Sequence, residues 1–312
     1  MFYYILMTLC GIAVLHLALV VMAMIKGEKG FRILPSTKKF AGEFSLWELI
    51  YPRYFQHGYV YFRWLKRYVS FGLRVMKVPV VGPFLIKKFI VPGYHGKVVT
   101  GEEVGRIITL NHEVPLHDVG ENIVPYPVAR DLLIGSPLEI VLMDCPCRAS
   151  RPDPCLPLDV CMIVGQPFTD FVLEHRPEIS RRISHHEALE ILEAEHRRGH
   201  VHSLWFKEAA AGRFFAICNC CRCCCVGLEL VNRLGINIMS SSGRTARVNE
   251  ESCTGCLKCL DACPFGAISS RGTVVSVEDG ICQGCGLCID ACPSGALCLE
   301  ENFEGVMPLE MD

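Results

Sequence analysis

Cysteine constrains this chain more than any other residue type. The 312 residues include 20 cysteines, and 19 of them follow residue 144 in tight runs such as CNCCRCCC at 218–225. In a short secreted protein, this density would indicate a disulfide scaffold. Cysteines so close in sequence cannot pair with each other without strain, whereas their spacing is typical of metal ligands. We therefore expect a cofactor-rich, metal-binding protein.

The last run of cysteines is an internal repeat. The pattern C-x2-C-x2-C-x3-C-P occurs twice, 29 residues apart, with the flanks CPFGAI and CPSGAL. Its eight cysteines are Cys253, Cys256, Cys259, Cys263, Cys282, Cys285, Cys288 and Cys292. The x2 spacing lets a loop wrap one face of a cluster, and Gly255, Gly284 and Gly286 allow close backbone approach and positive φ. Pro264 and Pro293 turn the chain away from the site. C-x2-C pairs often bind zinc, but two complete C-x2-C-x2-C-x3-C-P runs make zinc a poor alternative here.

This repeat resembles the bacterial two-[4Fe–4S] ferredoxins over residues 244–302. The resemblance implies a ferredoxin-like dicluster domain at 244–312 with two [4Fe–4S] clusters. It also implies that three cysteines of each run hold one cluster while the fourth crosses to the other. One set would be Cys253, Cys256, Cys259 and Cys292, and the other Cys282, Cys285, Cys288 and Cys263. Segments 245–248 and 273–277 suit the short strands of that fold, and Cys298 is expected to be an ordinary buried thiol.

Ten further cysteines fall into two groups within residues 97–243. The first group is Cys145, Cys147, Cys155 and Cys161, and the second is Cys218, Cys220, Cys221, Cys223, Cys224 and Cys225. Hydrophobic patterns predict strands at 139–143 and 213–217, just before the two groups, and a helix at 185–198. Two strand ends that present thiolates predict an α/β-type domain with metal at one edge. The fold class expected for the whole chain is α+β.

This middle domain resembles the cysteine-rich domain that precedes dicluster ferredoxin modules in iron–sulfur proteins of anaerobes. The resemblance rests on the C-x-C-R…C…C run and the later CNCC-x-CCC run, and it implies one or two further iron–sulfur clusters. One hypothesis gives a cluster to the four thiols of the first group and another to four of the second. Zinc, or dithiols that cycle to disulfides, are the alternatives. Six histidines lie between residues 175 and 202, and His200 and His202 are the better ligand candidates among them.

The first hundred residues differ from the rest in charge. They carry 14 Lys/Arg and 3 Asp/Glu, whereas residues 101–312 carry 17 and 30. Residues 2–25 lack formal charge, and as a helix they would rise about 36 Å, enough to cross a hydrocarbon core of roughly 30 Å. A cleaved signal peptide is the alternative, but the run is too long and has no positive n-region. Residues 1–25 are thus predicted to be a single-pass anchor in the cell membrane. The basic residues that follow predict that the bulk of the chain is cytoplasmic.

Residues 26–96 are expected to form a basic, aromatic segment at the membrane surface, in contact with lipid. Between 44 and 91, aromatic and basic side chains alternate. Nucleic-acid binding, an interfacial helix and a core helix with a solvated face are three interpretations. Proximity to a spanning helix favours the second, so no nucleic-acid partner is expected. Residues 93–96 are predicted to be a hinge into the middle domain.

No phosphate-binding loop, G-x-S-x-G motif or radical-SAM cysteine run is present in the sequence, which specifies no substrate and no catalytic residue. The leading hypothesis is a membrane-anchored carrier that relays single electrons through its clusters to or from a redox partner protein. The acidic carboxy-terminal part favours a partner with a basic docking patch. A second hypothesis is the iron–sulfur subunit of a reductase with substrate chemistry in the middle domain, where residues 218–225 hold surplus thiols. A redox sensor would need an output domain, which the sequence does not indicate.

Overall fold

The computed structural model describes residues 33–109 and 138–302, a few isolated positions between 18 and 24, and two short strands between the main ranges. The apolar run 2–25 lies almost wholly outside these described residues. Among the described residues, every helix is too short or too polar to cross a membrane. What the structure does describe is a mixed α+β fold.

Helices make up the amino-terminal described part. They are α1 Pro35–Ala41, α2 Leu46–Ile50, α3 Phe55–Arg63, α4 Leu65–Met76 and α5 Val81–Phe89. Ser45 begins α2 with a capping box, because its side chain accepts a hydrogen bond from the Glu48 amide while the Glu48 carboxylate accepts one from the Ser45 amide. A single 3₁₀ turn at Val91–Gly93 leads from α5 into the first strand.

Seven strands form the central sheet of the described residues. They are β1 Tyr94–Val99, β4 Ile140–Asp144, β5 Asp159–Val164, β6 Ser180–Arg182, β7 Val201–Lys207, β8 Phe214–Cys220 and β9 Met239–Ser240. Their order is β6-β4-β5-β8-β7-β1-β9, and only the β1–β9 pair is parallel. The two short strands β2 Val114–Pro115 and β3 Leu133–Ile134 pair separately.

Helices cover both faces of this sheet. The later helices are α6 Gly101–Thr109, α7 Pro146–Ala149, α8 Phe168–His175, α9 His185–Arg197 and α10 Val226–Leu234. On one face, α6 and α9 bury residues such as Ile107 and Leu192 against Leu204 of β7. On the other, α1 to α4, α8 and α10 share a core with residues such as Trp205 and Phe215. The predicted helix at 185–198 is confirmed as α9, where the Ser184 hydroxyl accepts a hydrogen bond from the Glu187 amide at 3.1 Å.

Helix α3 differs from the expectation of a membrane-surface segment. Tyr59, Tyr61 and Phe62 of α3 are buried, and Phe62 stacks on Phe168 of α8 with ring centroids 5.5 Å apart. Helical spacing turns these aromatic rings towards the sheet, so the core-helix interpretation holds for α3. The predicted hinge at 93–96 is wrong, because Tyr94, His95 and Gly96 lie in β1 and pair with β7.

The carboxy-terminal module follows the sheet directly. Its elements are β10 Arg244–Val248, α11 Lys258–Ala262, β11 Ile268–Arg271, β12 Val274–Val277, α12 Leu287–Asp290 and β13 Leu297–Glu301. β10 pairs with β13, and β11 pairs with β12, both antiparallel. Contacts between the module and the middle domain include Arg244 to Glu103 at 2.9 Å and His196 to Asp290 at 2.7 Å.

Candidate metal centres

Two small cavities in the carboxy-terminal module are each walled by four cysteines. The first is lined by Cys253, Cys256, Cys259 and Cys292, and the second by Cys263, Cys282, Cys285 and Cys288. These are the two crossing sets that the resemblance implied. Backbone amides point at the sulfur atoms, since Ala267 donates to Cys263 Sγ and Ala296 to Cys292 Sγ, both at 3.3 Å. Four thiols with amide donors are the ligand set that a [4Fe–4S] cluster requires.

Glycines bring the backbone close to these cavities. Gly255, Gly284 and Gly286 have φ values of 66°, 62° and 84°, which confirms the positive φ expected at all three. A Cβ atom at Gly284 would stand 2.3 Å from the carbonyl oxygen of Arg244. The loop around the second cavity therefore has room only for glycine at this position. Cys298, predicted to be buried, is exposed on β13, because its side chain points away from the core that Leu297 enters.

Six thiols of the middle domain form a closed ring, the six-thiol set. Each is within hydrogen-bonding reach of the next in the order Cys145, Cys147, Cys225, Cys220, Cys218, Cys161 and back to Cys145. The sheet explains the arrangement: Met162 of β5 lies opposite Ile217 of β8. Cys161 Sγ consequently lies 4.0 Å from Cys218 Sγ.

Four other thiols gather beside this ring, and we call them the four-thiol set. The Sγ atoms of Cys155, Cys221 and Cys223 lie within 4.8 Å of one another. Cys224 Sγ lies 3.5 Å from that of Cys223 and accepts a hydrogen bond from the Cys155 amide at 3.4 Å. The hypothesis of one cluster for each sequence group is therefore wrong. Both sets draw on both groups, because the sheet places β5 beside β8 while the loop with Cys155 reaches over to residues 221–224.

The electrostatics of the six-thiol set favour a positively charged occupant. Hydrogen bonds from the Cys161 and Cys220 thiols lower the pKa of Cys218 to about 6. The pKa values of Cys145 and Cys147 rise to about 12, with the hydrogen bond between the two thiols the largest cause for Cys145. Thiolates this close repel each other, so ionisation of the whole set requires a compensating cation. Iron supplies that charge in an iron–sulfur cluster.

The comparisons with known proteins bear on the carboxy-terminal module. A family profile for the 4Fe-4S dicluster domain matches residues 252–296. The carboxy-terminal module is a 4Fe-4S dicluster domain. A search of curated proteins finds no match to the chain. The matched range contains all eight cysteines that line the two module cavities, so iron–sulfur clusters and electron transfer are supported for this dicluster domain.

A buried ion pair supports the loop that carries Cys145 and Cys147. The Arg148 guanidinium is fully buried, pairs with the Glu195 carboxylate and donates to the Asn219 carbonyl oxygen at 3.3 Å. Burial by itself lowers the pKa of Arg148, but the bond to Glu195 outweighs it, so the pKa is raised and Arg148 stays charged. Arg148 stands in the C-x-C-R motif, although sequence reasoning gave it no role.

The histidine candidates lie outside both thiol sets. His200 Nδ1 is 2.7 Å from the Glu195 carboxylate, and His202 Nδ1 is 2.7 Å from Asn219 Oδ1. Neither histidine belongs to the group of Cys155, Cys221 and Cys223, whose ligand atoms lie within 4.8 Å of one another. Burial lowers the pKa of His202 to about 4, so this imidazole is neutral near pH 7.

Sequence reasoning also missed a buried cation beside the six-thiol set. Lys207 at the end of β7 is 2% exposed, and its Nζ atom lies 4.6 Å and 4.7 Å from the ring centroids of Tyr61 and Tyr94. The two tyrosine side chains share a hydrogen bond. The alternation of side chains along β7 could have revealed it. Val201, Ser203, Trp205 and Lys207 point to the same buried face, and Lys207 is the cation among them.

Proposed function

We propose that this protein is a membrane-anchored electron-transfer protein in which the middle domain adds iron–sulfur centres to those of the dicluster domain. The observation that carries the proposal is the sorting of all ten middle-domain cysteines into two compact sets. Each set contains at least the four thiols that a [4Fe–4S] cluster takes. When bound, such clusters supply one-electron redox chemistry.

Zinc explains the middle domain less well than iron and sulfide do. A structural zinc ion takes four ligands in a closed tetrahedron. The ring of six thiols exceeds that number, and its members come from β5, β8, the first residues of α7 and the residues that cap α7 and α10. A cluster with several iron atoms can use more of these thiols. The four-thiol set fits either metal, and the Arg148 charge, which acts on Cys221, would favour the added negative charge of a reduced cluster.

Helix α10 connects the middle-domain thiols to the dicluster domain. It begins directly after Cys225, and Asn232 Nδ2 donates to the Pro264 carbonyl oxygen at 2.8 Å. Pro264 follows Cys263, a member of the second module set. The seven residues from 225 to 232 span about 10 Å along the helix axis. We propose that electrons pass between the six-thiol set and the dicluster domain along this helix.

The outer surface of α4 and α5 supports membrane attachment. Val80, Phe84 and Phe89 are more than half exposed, and the neighbouring Lys87 and Lys88 are exposed as well. No Asp or Glu occurs between residues 49 and 101. Apolar side chains next to exposed cations suit the interface of a bilayer that contains anionic lipid. With the apolar run 2–25, this surface would hold the protein at the cytoplasmic face. The acidic carboxy-terminal half would remain free for a redox partner protein with a basic patch.

Anaerobic purification of the full chain tests the redox part of the proposal. After reduction with dithionite, Cys256→Ala and Cys223→Ala should each remove one paramagnetic centre and leave the other centres intact. Cys223→Ala is the decisive variant, since it lies outside the dicluster domain. Protein that contains zinc in the middle domain, or a Cys223→Ala spectrum identical to the wild type, would overturn the middle-domain assignment.

Membrane attachment has a separate test. The full chain should remain with the membrane fraction after an alkaline carbonate wash. External protease on intact cells should leave residues 100–312 uncut, because the proposed topology keeps them inside. Release by the wash would contradict the anchor, and digestion of residues 100–312 would contradict the cytoplasmic topology; neither result bears on the redox proposal.

A further inference from the structure

A groove of about 780 Å³ lies between the middle domain and the dicluster domain, and we call it the interdomain groove. Helices α6 and α9 and the start of β7 form one wall, while α12, the loop before it and β13 form the other. The groove shares Cys285, Gly286 and Leu299 with the second module cavity. Among the described residues, none lines both the groove and the first module cavity. A molecule in the groove would therefore lie against the wall of the second module cavity.

A buried hydrogen-bond acceptor without a partner belongs to the lining of this groove. His202 is 2% exposed, and its Nδ1 atom lies 2.7 Å from Asn219 Oδ1. The Asn219 amide nitrogen donates to the Val160 carbonyl oxygen at 2.9 Å, so Asn219 Oδ1 is an acceptor and His202 Nδ1 carries the proton. His202 Nε2 therefore has a lone pair, and it has no hydrogen-bond partner in the part of the chain that the structure describes. A donor from a bound molecule would remove the cost of this unpaired acceptor.

A second imidazole in the groove has the same need. The His196 ring stacks on that of His202, with ring centroids 5.4 Å apart. His196 Nε2 lies 2.7 Å from the Asp290 carboxylate, which accepts its hydrogen bond. In the neutral imidazole, Nδ1 is then an acceptor, and within the described residues this buried atom has no partner. Two stacked imidazoles thus lack a hydrogen-bond donor at the same wall of the groove.

The charged side chains of the groove are mostly acidic. Four carboxylates and two guanidinium groups line it: those of Glu102, Glu103, Glu193 and Asp290, and those of Arg106 and Arg244. Each guanidinium is already bonded to one carboxylate, Arg106 to Glu102 and Arg244 to Glu103. Glu193 pairs with Arg197 in an exposed i,i+4 contact, a kind of pair that contributes little. The excess of carboxylates favours a cationic molecule in the groove.

We propose that the interdomain groove docks a basic loop of the redox partner protein, and that a lysine or arginine side chain of this loop donates a hydrogen bond to His202 Nε2. The inference rests on the proposed function, since it needs a cluster in the second module cavity and a partner that exchanges electrons with it. Lysine and arginine side chains offer donors and no acceptor, which matches a groove whose unpartnered atoms are imidazole lone pairs. The docked loop would lie against Cys285, a wall residue of that cavity. One electron then passes from the reduced cluster to the oxidised centre of the partner.

Cytochrome c is a suitable probe, because it is a basic protein that carries one electron. Calorimetric titration of the oxidised holoprotein in detergent with ferricytochrome c measures binding alone, since no electron passes between two oxidised proteins. At low ionic strength we expect one saturable site per chain. Glu193→Lys should weaken this binding by at least about 5-fold. Glu251→Lys is the matched control: it reverses the same charge at an exposed position two residues before Cys253, beside the first module cavity. It should weaken binding by less than about 2-fold.

Electron transfer gives the second readout. Reduced holoprotein, freed of dithionite, should reduce ferricytochrome c at a rate that saturates with its concentration and is slower in Glu193→Lys than in Glu251→Lys. Each transfer oxidises a cluster by one electron and reduces the haem iron from Fe(III) to Fe(II). His202→Phe keeps a ring but removes the acceptor, and with its iron content intact it should also weaken binding by at least about 5-fold.

Several outcomes would overturn the groove as a docking site. These are the absence of saturable binding, an effect of Glu251→Lys as large as that of Glu193→Lys, and unchanged binding in an iron-replete His202→Phe. Spermine, a small polycation, is the competing occupant, and tighter binding of spermine than of cytochrome c would overturn the protein partner. An absence of iron from the dicluster domain would instead overturn the proposed function.

Discussion

The dicluster domain and the middle domain both gather cysteines into compact sets, but from different distances along the sequence. In the dicluster domain, the cysteines of each cavity come mostly from one run of ten residues or so, and glycines such as Gly284 set the loop around them. In the middle domain, Cys161 meets Cys218 across two strands that are 57 residues apart. The first kind of site is encoded locally. The second depends on the whole sheet and on the helices that cover it.

We expect the largest difference in stability between the two domains when the buried ion pair of Arg148 and Glu195 in the middle domain is broken. Arg148→Met would leave Glu195 buried with only Arg198 and His200 as partners. Removing one member of a buried pair costs about 3–5 kcal/mol, and we expect the lower end because Arg198 remains. Denaturant unfolding of the anaerobic protein measures this. Arg247→Met is the matched control in the dicluster domain, where Arg247 pairs with Asp279 in solvent. If both variants lowered the free energy of unfolding equally, the two domains would not differ in this respect.

Backbone geometry should dominate in the dicluster domain. Gly284→Ala puts a Cβ atom 2.3 Å from the Arg244 carbonyl at a φ of +62°. Left-handed φ costs a non-glycine residue about 1–2 kcal/mol, and the clash adds to it. We expect loss of the cluster of the second module cavity, seen as about four fewer irons per chain. Gly280→Ala is the control, since its Cβ meets nothing within 4 Å. Retained iron in Gly284→Ala would show that this loop adapts.

Acid should destabilise the middle domain selectively. Burial lowers the pKa of His202 to about 4, against about 6.5 in the unfolded chain. Between these values the unfolded state binds the proton, so stability falls as pH falls, by about 2 kcal/mol at pH 5 for this group. His202→Gln should reduce the slope of the pH profile of stability between pH 7 and 5, and groups such as His175, whose pKa burial also lowers to about 4, supply the slope that remains. Residues 244–312 contain no histidine, so the dicluster domain adds no histidine titration to this profile. An unchanged slope in the variant would refute the assignment to His202.

The smallest effect should come from the cysteine outside every set. Cys298 is exposed and lines neither module cavity. Cys298→Ser should leave the iron content unchanged and alter stability by no more than about 0.5 kcal/mol. Loss of iron in this variant would mean that the set of ligands in the dicluster domain is incomplete.

The difference between local and long-range assembly also determines how much of each site could be predicted from the sequence. The resemblance to dicluster ferredoxins implied both crossing sets, whereas the repeat itself predicted the three positive-φ glycines, because each lies in a short loop whose contacts are local. In the middle domain, local patterns predicted the strands before Cys145 and Cys218 but not the sorting of the thiols. That sorting depends on β5 pairing with β8, a contact that local spacing does not encode. Lys207 was missed for the same reason, since its neighbours Tyr61 and Tyr94 come from distant elements.

Iron and sulfide analysis of the anaerobically purified full chain tests the central claim most directly. Helices α1 to α4 share the core of the sheet, so the protein measured must include them rather than begin at residue 97. With clusters on both middle-domain sets and in both module cavities, we predict at least about sixteen irons per chain, four for each of four sites. About eight irons, with spectra that Cys147→Ala and Cys223→Ala leave unchanged, would show that clusters occur in the dicluster domain alone.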